Sequence, residues 1–341
     1  MASLAYRIRV ALGVLLACSC AAPLSAQQPA RGEDAQLDQQ LQSIAASHRG
    51  RVALYAHNLK TGQTASLESD VEVKTASVIK MGVLLDAAEQ IRAGQASLDE
   101  RLVLTHENQV EGSGILGQLT APLSLTLRDT LHLMVVLSDN TATNLAIDRL
   151  GLAHIDATLK AAGLEHTILY KKVFMPVQGP LPADQPRFGL GKTTAREMAG
   201  IMERLAECRL GLDGSAALAS DGPLCGALLH MLRSQQDRNS LPRYLEALDT
   251  SEHGSAIANK TGALDQVRND VALIATRNGP VVIAAFTWDN ADQRWTGDND
   301  AEKMLGRLGE AIVQHWAPGG LDAAAFAWDN PLAEAPAATR H

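Results

Sequence analysis

Aromatic residues are scarce in this chain of 341, at 4% with four each of Phe, Trp and Tyr. Its core therefore has to be built from Leu, Ile, Val and Ala. Cysteine is scarce too: four residues, of which Cys18 and Cys20 lie in an N-terminal leader. The cysteines lack zinc spacing, and the ten histidines include neither H-E-x-x-H nor a clustered pair. No metal and no other cofactor is expected. An excess of positive charge is also missing. The net charge is −8, with no basic stripe, so there is no electrostatic footprint for nucleic acid. With 46% hydrophobic and 20% charged residues, the chain is too apolar for disorder.

No apolar run is long enough to span a bilayer comfortably. Val10 to Ala22 comes nearest and follows Arg7 and Arg9. A basic start, a short apolar stretch and the small-residue site Leu24-Ser25-Ala26 read as a signal peptide over residues 1–26. The protein is expected to be exported, to the periplasm or beyond the cell. A lipoprotein anchored through Cys18 is the lesser alternative. In that setting Cys208 and Cys225 are expected to form a disulfide, with two buried thiols as the alternative.

Hydrophobic periodicity divides the remainder. Leu37, Leu41 and Ile44 recur at helical spacing, and strands are expected over Val52 to Leu59 and near Thr64 to Leu67. From Ser77 to about Leu232 the pattern is largely helical. Thr126-x-x-Asp129 and Thr194-x-x-Glu197 read as helix starts, and Gly151 and Gly163 as helix ends. The Pro- and Gly-rich stretch from Tyr170 to Gly191 reads as a long ordered loop. Strands return over Asp270 to Thr276 and Val281 to Trp288 around an Asn278-Gly279 turn. A helix through Leu305, Leu308, Ile312 and Trp316 closes the fold. The fold class is thus α/β (α+β): an antiparallel sheet flanked by helices, plus an all-helical lobe. One catalytic domain is expected over 27–317, with a sheet lobe from 36–76 and 233–317 and a helical lobe from 77–232. Residues 318–341 are expected to be a flexible tail. A cleft between the lobes is the natural site.

Three short motifs carry chemistry: Ser77-Val78-Ile79-Lys80, Ser138-Asp139-Asn140 and Lys260-Thr261-Gly262. A serine hydroxyl is a weak nucleophile and needs a base nearby. Lys80, three residues on, shares a helix face with Ser77. A lysine serves as a base only when burial or another cation favours its neutral form, and Lys260 is a candidate for that cation. Ser138 is suited to pass a proton to a leaving nitrogen, and Asn140 to hold Lys80 and a substrate carbonyl. Thr261 offers a hydroxyl to a substrate carboxylate. The strand through Gly262 would lie beside the substrate, and the N–H groups of Ser77 and Ala263 would form an oxyanion hole. Taken singly, each motif has a plainer reading as a helix cap or a turn. Those readings do not account for all three together. Gly112-x-Gly114-x-x-Gly117 formally matches a dinucleotide motif, but no apolar strand precedes it, so it reads as a loop bordering the cleft.

These motifs, in this order, resemble the class A β-lactamase and penicillin-binding serine hydrolases. The resemblance runs from about Leu37 to Trp316. It implies a β-lactamase/transpeptidase-like fold and an acyl-enzyme on Ser77, with β-lactam hydrolysis as the activity. A D,D-peptidase acting on peptidoglycan peptides is the alternative, and a non-hydrolytic sensor of β-lactam or cell-wall peptide the second. The expected partner is a small β-lactam or peptidoglycan peptide, and a monomer is expected. Arg268 lies near where the family often carries an arginine for the substrate carboxylate; a surface arginine on a strand is the competing reading. One departure stands out. Class A β-lactamases carry, in the loop after S-D-N, a glutamate that activates the deacylating water. Here that stretch reads Tyr170-Lys171-Lys172-Val173-Phe174-Met175-Pro176, with Glu165 and Asp184 as the flanking carboxylates. Acylation with slow release is the implied behaviour.

Overall fold

The computed structural model describes residues 32, 34–177, 179–212, 221–249 and 255–326. Residues 1–26, expected from the sequence to be a signal peptide, lie outside the described residues, as do positions 327–341.

The chain opens with helix α1 (Ala35–Ala46), which buries Leu37 and Leu41. Strands β1 (Arg51–Asn58) and β2 (Thr64–Leu67) follow. A two-residue strand, β3 (Val73–Lys74), leads into a 3-10 turn over Ala76–Ile79 and then α2 (Lys80–Arg92). The next stretch holds β4 (Arg101–Leu104), β5 (Leu123–Thr126), α3 (Leu127–Val136), α4 (Asn140–Leu150) and α5 (Leu152–Ala161). Then come β6 (Ile168–Leu169), the short α6 (Gln185–Phe188), β7 (Gly191–Thr193), α7 (Ala195–Ala206) and α8 (Gly222–Arg233). Strands β8 (Ile257–Leu264), β9 (Val267–Ile274) and β10 (Val281–Trp288) precede the last helix, α9 (Asp300–Trp316).

Five strands form one antiparallel sheet in the order β2-β1-β10-β9-β8. The first and last parts of the chain therefore share a layer, as the pattern predicts. β9 is buried at every position and β10 at all but its last, because α1 and α9 pack with α7 and the helical lobe to cover both faces. β10 accordingly reads as a continuous apolar run rather than an alternation, whereas β9 also buries Arg268, Asn269 and Asp270.

The middle of the chain is not wholly helical. β4 pairs with β5, and β7 lies between β3 and β6. Strands of two to four residues are too short for a period of two to register against neighbouring helices. The chain after α9 also differs from a tail: Leu321 bridges Thr276, and Phe326 is buried beneath the Arg233 guanidinium. Backbone bonds from Arg277 to Gly320 and from Asp322 to Ala275, with buried Leu321, Ala323 and Phe326, dock residues up to 326. Cys208 and Cys225 form a disulfide with Cα atoms 5.6 Å apart, tying the end of α7 to α8.

Candidate active site

Ser77 sits in the 3-10 turn immediately before α2, and Lys80 is the first residue of that helix. The turn is pinned from two sides. Thr75 donates its N–H and its hydroxyl to the Gly191 carbonyl, at 3.1 and 2.9 Å. Asn269, in β9, donates its side-chain amide to the carbonyls of Lys74 and Thr75, at 2.8 and 3.2 Å. Ala76 takes a left-handed backbone, φ +46°, to turn Ser77 into the cleft. Non-glycine residues hold that conformation only where their surroundings over-determine it.

Strand β8 passes directly over this turn. A Cβ on Gly262 would lie 2.8 Å from the Thr75 carbonyl oxygen and 2.8 and 2.9 Å from the backbone nitrogens of Val78 and Ser77. Only glycine allows that approach. It brings residues 261–263 beside Ser77, and all four line a cleft of about 420 Å³ together with Ser113, Ser138, Asp237 and Trp295.

The third motif arrives from the α3–α4 junction. Ser138 is also left-handed, φ +52°. Asp139 caps α4 by accepting from the Ala142 N–H at 2.8 Å, and its other oxygen accepts from the N–H groups of Ile115 and Leu116 at 2.7 and 2.9 Å. The acidic residue of the motif is thus a buried brace. It explains the glycine triplet as well: a Cβ on Gly114 would fall 2.2 Å from the Asp139 carboxylate, and one on Gly112 would fall 2.7 Å from the Asn140 amide.

The motifs converge on two buried lysines. Lys80 Nζ donates to the Ser138 carbonyl at 2.6 Å, to Ser138 Oγ at 3.1 Å and to Asn140 Oδ1 at 3.1 Å. Lys260 Nζ donates to the same Ser138 Oγ at 3.1 Å and to the Thr261 carbonyl at 2.7 Å. Both lysines are fully buried. Burial, followed by the Lys260 charge, holds the Lys80 amine well below the ordinary lysine range; Asp139 opposes the shift. Burial pulls Lys260 down to about 8, against the opposing charges of Asp270 and Asp237. A lysine held toward its neutral form can accept a proton, and a serine hydroxyl bridging two lysines can pass one on. A serine, a lysine base, a hydroxyl relay and a backbone cradle form an arrangement suited to acyl transfer.

With that geometry in view, comparison with known proteins identifies the group. A family model described as "Beta-lactamase enzyme family" matches residues 36–316. The chain belongs to the β-lactamase enzyme family. No curated protein matches. Among solved structures, a β-lactamase from Sphaerobacter thermophilus DSM 20745 is 29% identical, with a TM-score of 0.68, covering 83% of this chain and 97% of that one. A protein described as PBP-A is 24% identical, with a TM-score of 0.66, covering 84% and 98%. An ancestral class A β-lactamase is 22% identical, with a TM-score of 0.65, covering 82% and 100%. The last two are likenesses of fold.

Arg268 is not brought to the cleft of this β-lactamase-family protein. It is 2% exposed. Its guanidinium donates to Glu302 at 3.1 Å, to the carbonyls of Val267 and Arg294 at 2.8 and 2.7 Å, and to that of Leu264. Strand position alone carries no information on which way so long a side chain turns. No arginine is found among the described residues lining the cleft.

The loop after Tyr170 is closed at its base by β6 and β7, where Leu169 pairs with Gly191. Sequence reasoning missed its anchor, Asn144, although Asn144 lies one helical turn beyond Asn140. Asn144 accepts from the Val173 N–H at 2.8 Å and donates to the Val173 carbonyl at 2.9 Å. Glu165 is exposed, and Asp184 pairs with Lys192 at 3.0 Å. Neither carboxylate lines the Ser77 cleft. A larger cavity, about 760 Å³, opens under this loop against α4 and α5, but its lining includes no serine.

Proposed function

We propose that this protein is an exported serine hydrolase that opens β-lactams by acylating Ser77 and releases the product slowly. The observation that carries this reading is Ser138 Oγ standing 3.1 Å from both Lys80 Nζ and Lys260 Nζ. In the first step Ser77 Oγ attacks the lactam carbonyl and loses its proton to neutral Lys80. The N–H groups of Ser77 and Ala263 receive the developing oxyanion. As the C–N bond breaks, the proton travels through Ser138 Oγ to the departing nitrogen. Lys260 and Thr261 hold the substrate carboxylate. The ester left on Ser77 must then be cleaved by water, whose proton needs an acceptor within hydrogen-bond reach. The loop tied to α4 carries Val173 and Phe174 next to its Asn144 anchor, and neither side chain takes a proton. Loss of a positioned base costs about 10²–10⁴-fold in rate.

A D,D-peptidase acting on peptidoglycan peptides is the second reading, favoured by the same lack of a carboxylate. Among the structural neighbours is a PBP-A variant with one leucine replaced by glutamate, described as an acyl-enzyme complex with penicillin G. It is 23% identical, with a TM-score of 0.67.

Intact-mass spectrometry of the mature protein with a penicillin tests both steps. The expected result is one adduct, absent in Ser77→Ala, that persists for many minutes. Undiminished labelling of Ser77→Ala overturns the nucleophile. Clearance of the wild-type adduct within seconds shows that another base serves. Glu165→Gln and Asp184→Asn then identify it. Cleavage of a D-Ala-D-Ala peptide without β-lactam turnover favours the peptidase.

A further inference from the structure

The two most exposed large apolar side chains among the described residues are Trp295, at 65%, and Phe174, at 64%. Scattered exposed hydrophobics are ordinary. These two both border the site, and each is held in place. Trp295 lines the Ser77 cleft, as does Ala263. Its indole N–H donates to Asp265 Oδ1 at 3.0 Å, and its ring lies 4.7 Å from the Arg268 guanidinium. That guanidinium is itself immobilised by Glu302 and three carbonyls. The arginine expected to hold a substrate carboxylate therefore forms a platform for an aromatic wall, a cation–π arrangement.

Phe174 borders the site from the opposite lobe. A Cβ on Gly112 would meet both the Asn140 amide, at 2.7 Å, and the Phe174 ring edge, at 3.1 Å, so ring and amide come up against the same glycine. The residue before it is clamped by Asn144 through both of its backbone groups. Phe174 has φ +53°, a backbone that glycine or asparagine adopts far more readily. Steric cost at an exposed ring, in a segment fixed to α4, is the mark of a residue positioned for contact.

We propose that Phe174 and Trp295 are specificity-determining residues: two fixed aromatic walls that select acyl donors carrying a flat apolar group beside the scissile amide. Rigid aromatic side chains supply contact area with little loss of side-chain freedom, and ring–ring contacts add to simple burial. The proposal rests on the acyl-transfer reading above.

The test compares acylation of Ser77 by benzylpenicillin with acylation by 6-aminopenicillanic acid, the same bicyclic core without its aromatic side chain. The wild type is expected to prefer benzylpenicillin. Trp295→Ala and Phe174→Asn, the latter compatible with the left-handed backbone, should each lower the ratio of the two second-order rates about 2- to 12-fold. Trp295→Phe keeps a ring and should retain most of the preference, while guarding against loss of folding in the alanine variant. A merely structural role slows both reactions equally, so an unchanged ratio in both variants overturns the proposal. Failure of both compounds to label wild-type Ser77 overturns the acyl-transfer reading, and this proposal with it.

Discussion

Gly262 offers the most direct test of how the sheet builds the site. In Gly262→Ala the new methyl group meets three backbone atoms, those of Thr75, Ser77 and Val78, at 2.8–2.9 Å, whereas ordinary contact begins near 3.4 Å. Main-chain atoms cannot rotate away as a side chain would. The turn that holds them is tied to Gly191 and to Asn269. Relief therefore has to come from β8 moving outward by about 0.5 Å or more, because the packed interior has no slack to absorb it. That movement carries Lys260, two residues away, off Ser138 Oγ, and widens the gap between Ala263 and Ser77. A misplacement of about 1 Å costs on the order of 10²-fold in rate. The expected loss in second-order acylation is therefore about 10- to 100-fold. Overpacking costs about 1–3 kcal/mol of stability. The melting temperature should fall by about 2–12 °C. Stopped-flow acylation by a chromogenic β-lactam and thermal denaturation measure the two effects. A folded variant acylating within about threefold of wild type would refute the claim that this contact sets the geometry.

Three further outcomes follow from the same geometry. Lys260 titrates near 8, below an unfolded value of 10.5, so its ammonium is lost as pH rises through 8. Acylation by carboxylate-bearing substrates should therefore fall with a midpoint near pH 8, and Lys260→Arg should shift that limb to higher pH in a pH–rate profile. The unfolded chain binds this proton more tightly, so the burial cost is present below pH 8 and is relieved as pH rises toward 10.5. Val173→Glu places a carboxylate on a backbone fixed to the α4 face that bears Asn140, and should speed breakdown of the acyl-enzyme by about 10²–10⁴-fold; an adduct lifetime equal to wild type by intact-mass spectrometry counts against that placement. Reduction of Cys208–Cys225 should cost about 3 kcal/mol. Melting curves with and without reductant should then separate by about 6–12 °C, and coincident curves would show the link to be without effect.

Local sequence determined a good deal of this molecule. Residues three apart had to put Ser77 and Lys80 one turn apart, and the Lys80 N–H does donate to the Ser77 carbonyl, since helical spacing is a property of the backbone alone. Thr126 and Asp129 did cap α3, and Thr194 did cap α7. The continuous apolar run of Val281–Trp288, next to an Asn-Gly turn, had to become a buried hairpin strand. What sequence could not decide was the direction of long side chains and the partners met at long range. Arg268 turns to Glu302 rather than to the cleft because a buried guanidinium must satisfy its donors, and three carbonyls lie on that side. Gly112 and Gly114, which mimic a nucleotide motif, exist for the side chains of Asn140 and Asp139, more than twenty residues away. The pinning of the turn that carries Ser77 by Asn269, nearly two hundred residues downstream, depends on β9 passing beneath that turn. Such contacts are fixed only when the sheet closes, because no local period in the chain encodes which strand will lie beside which turn.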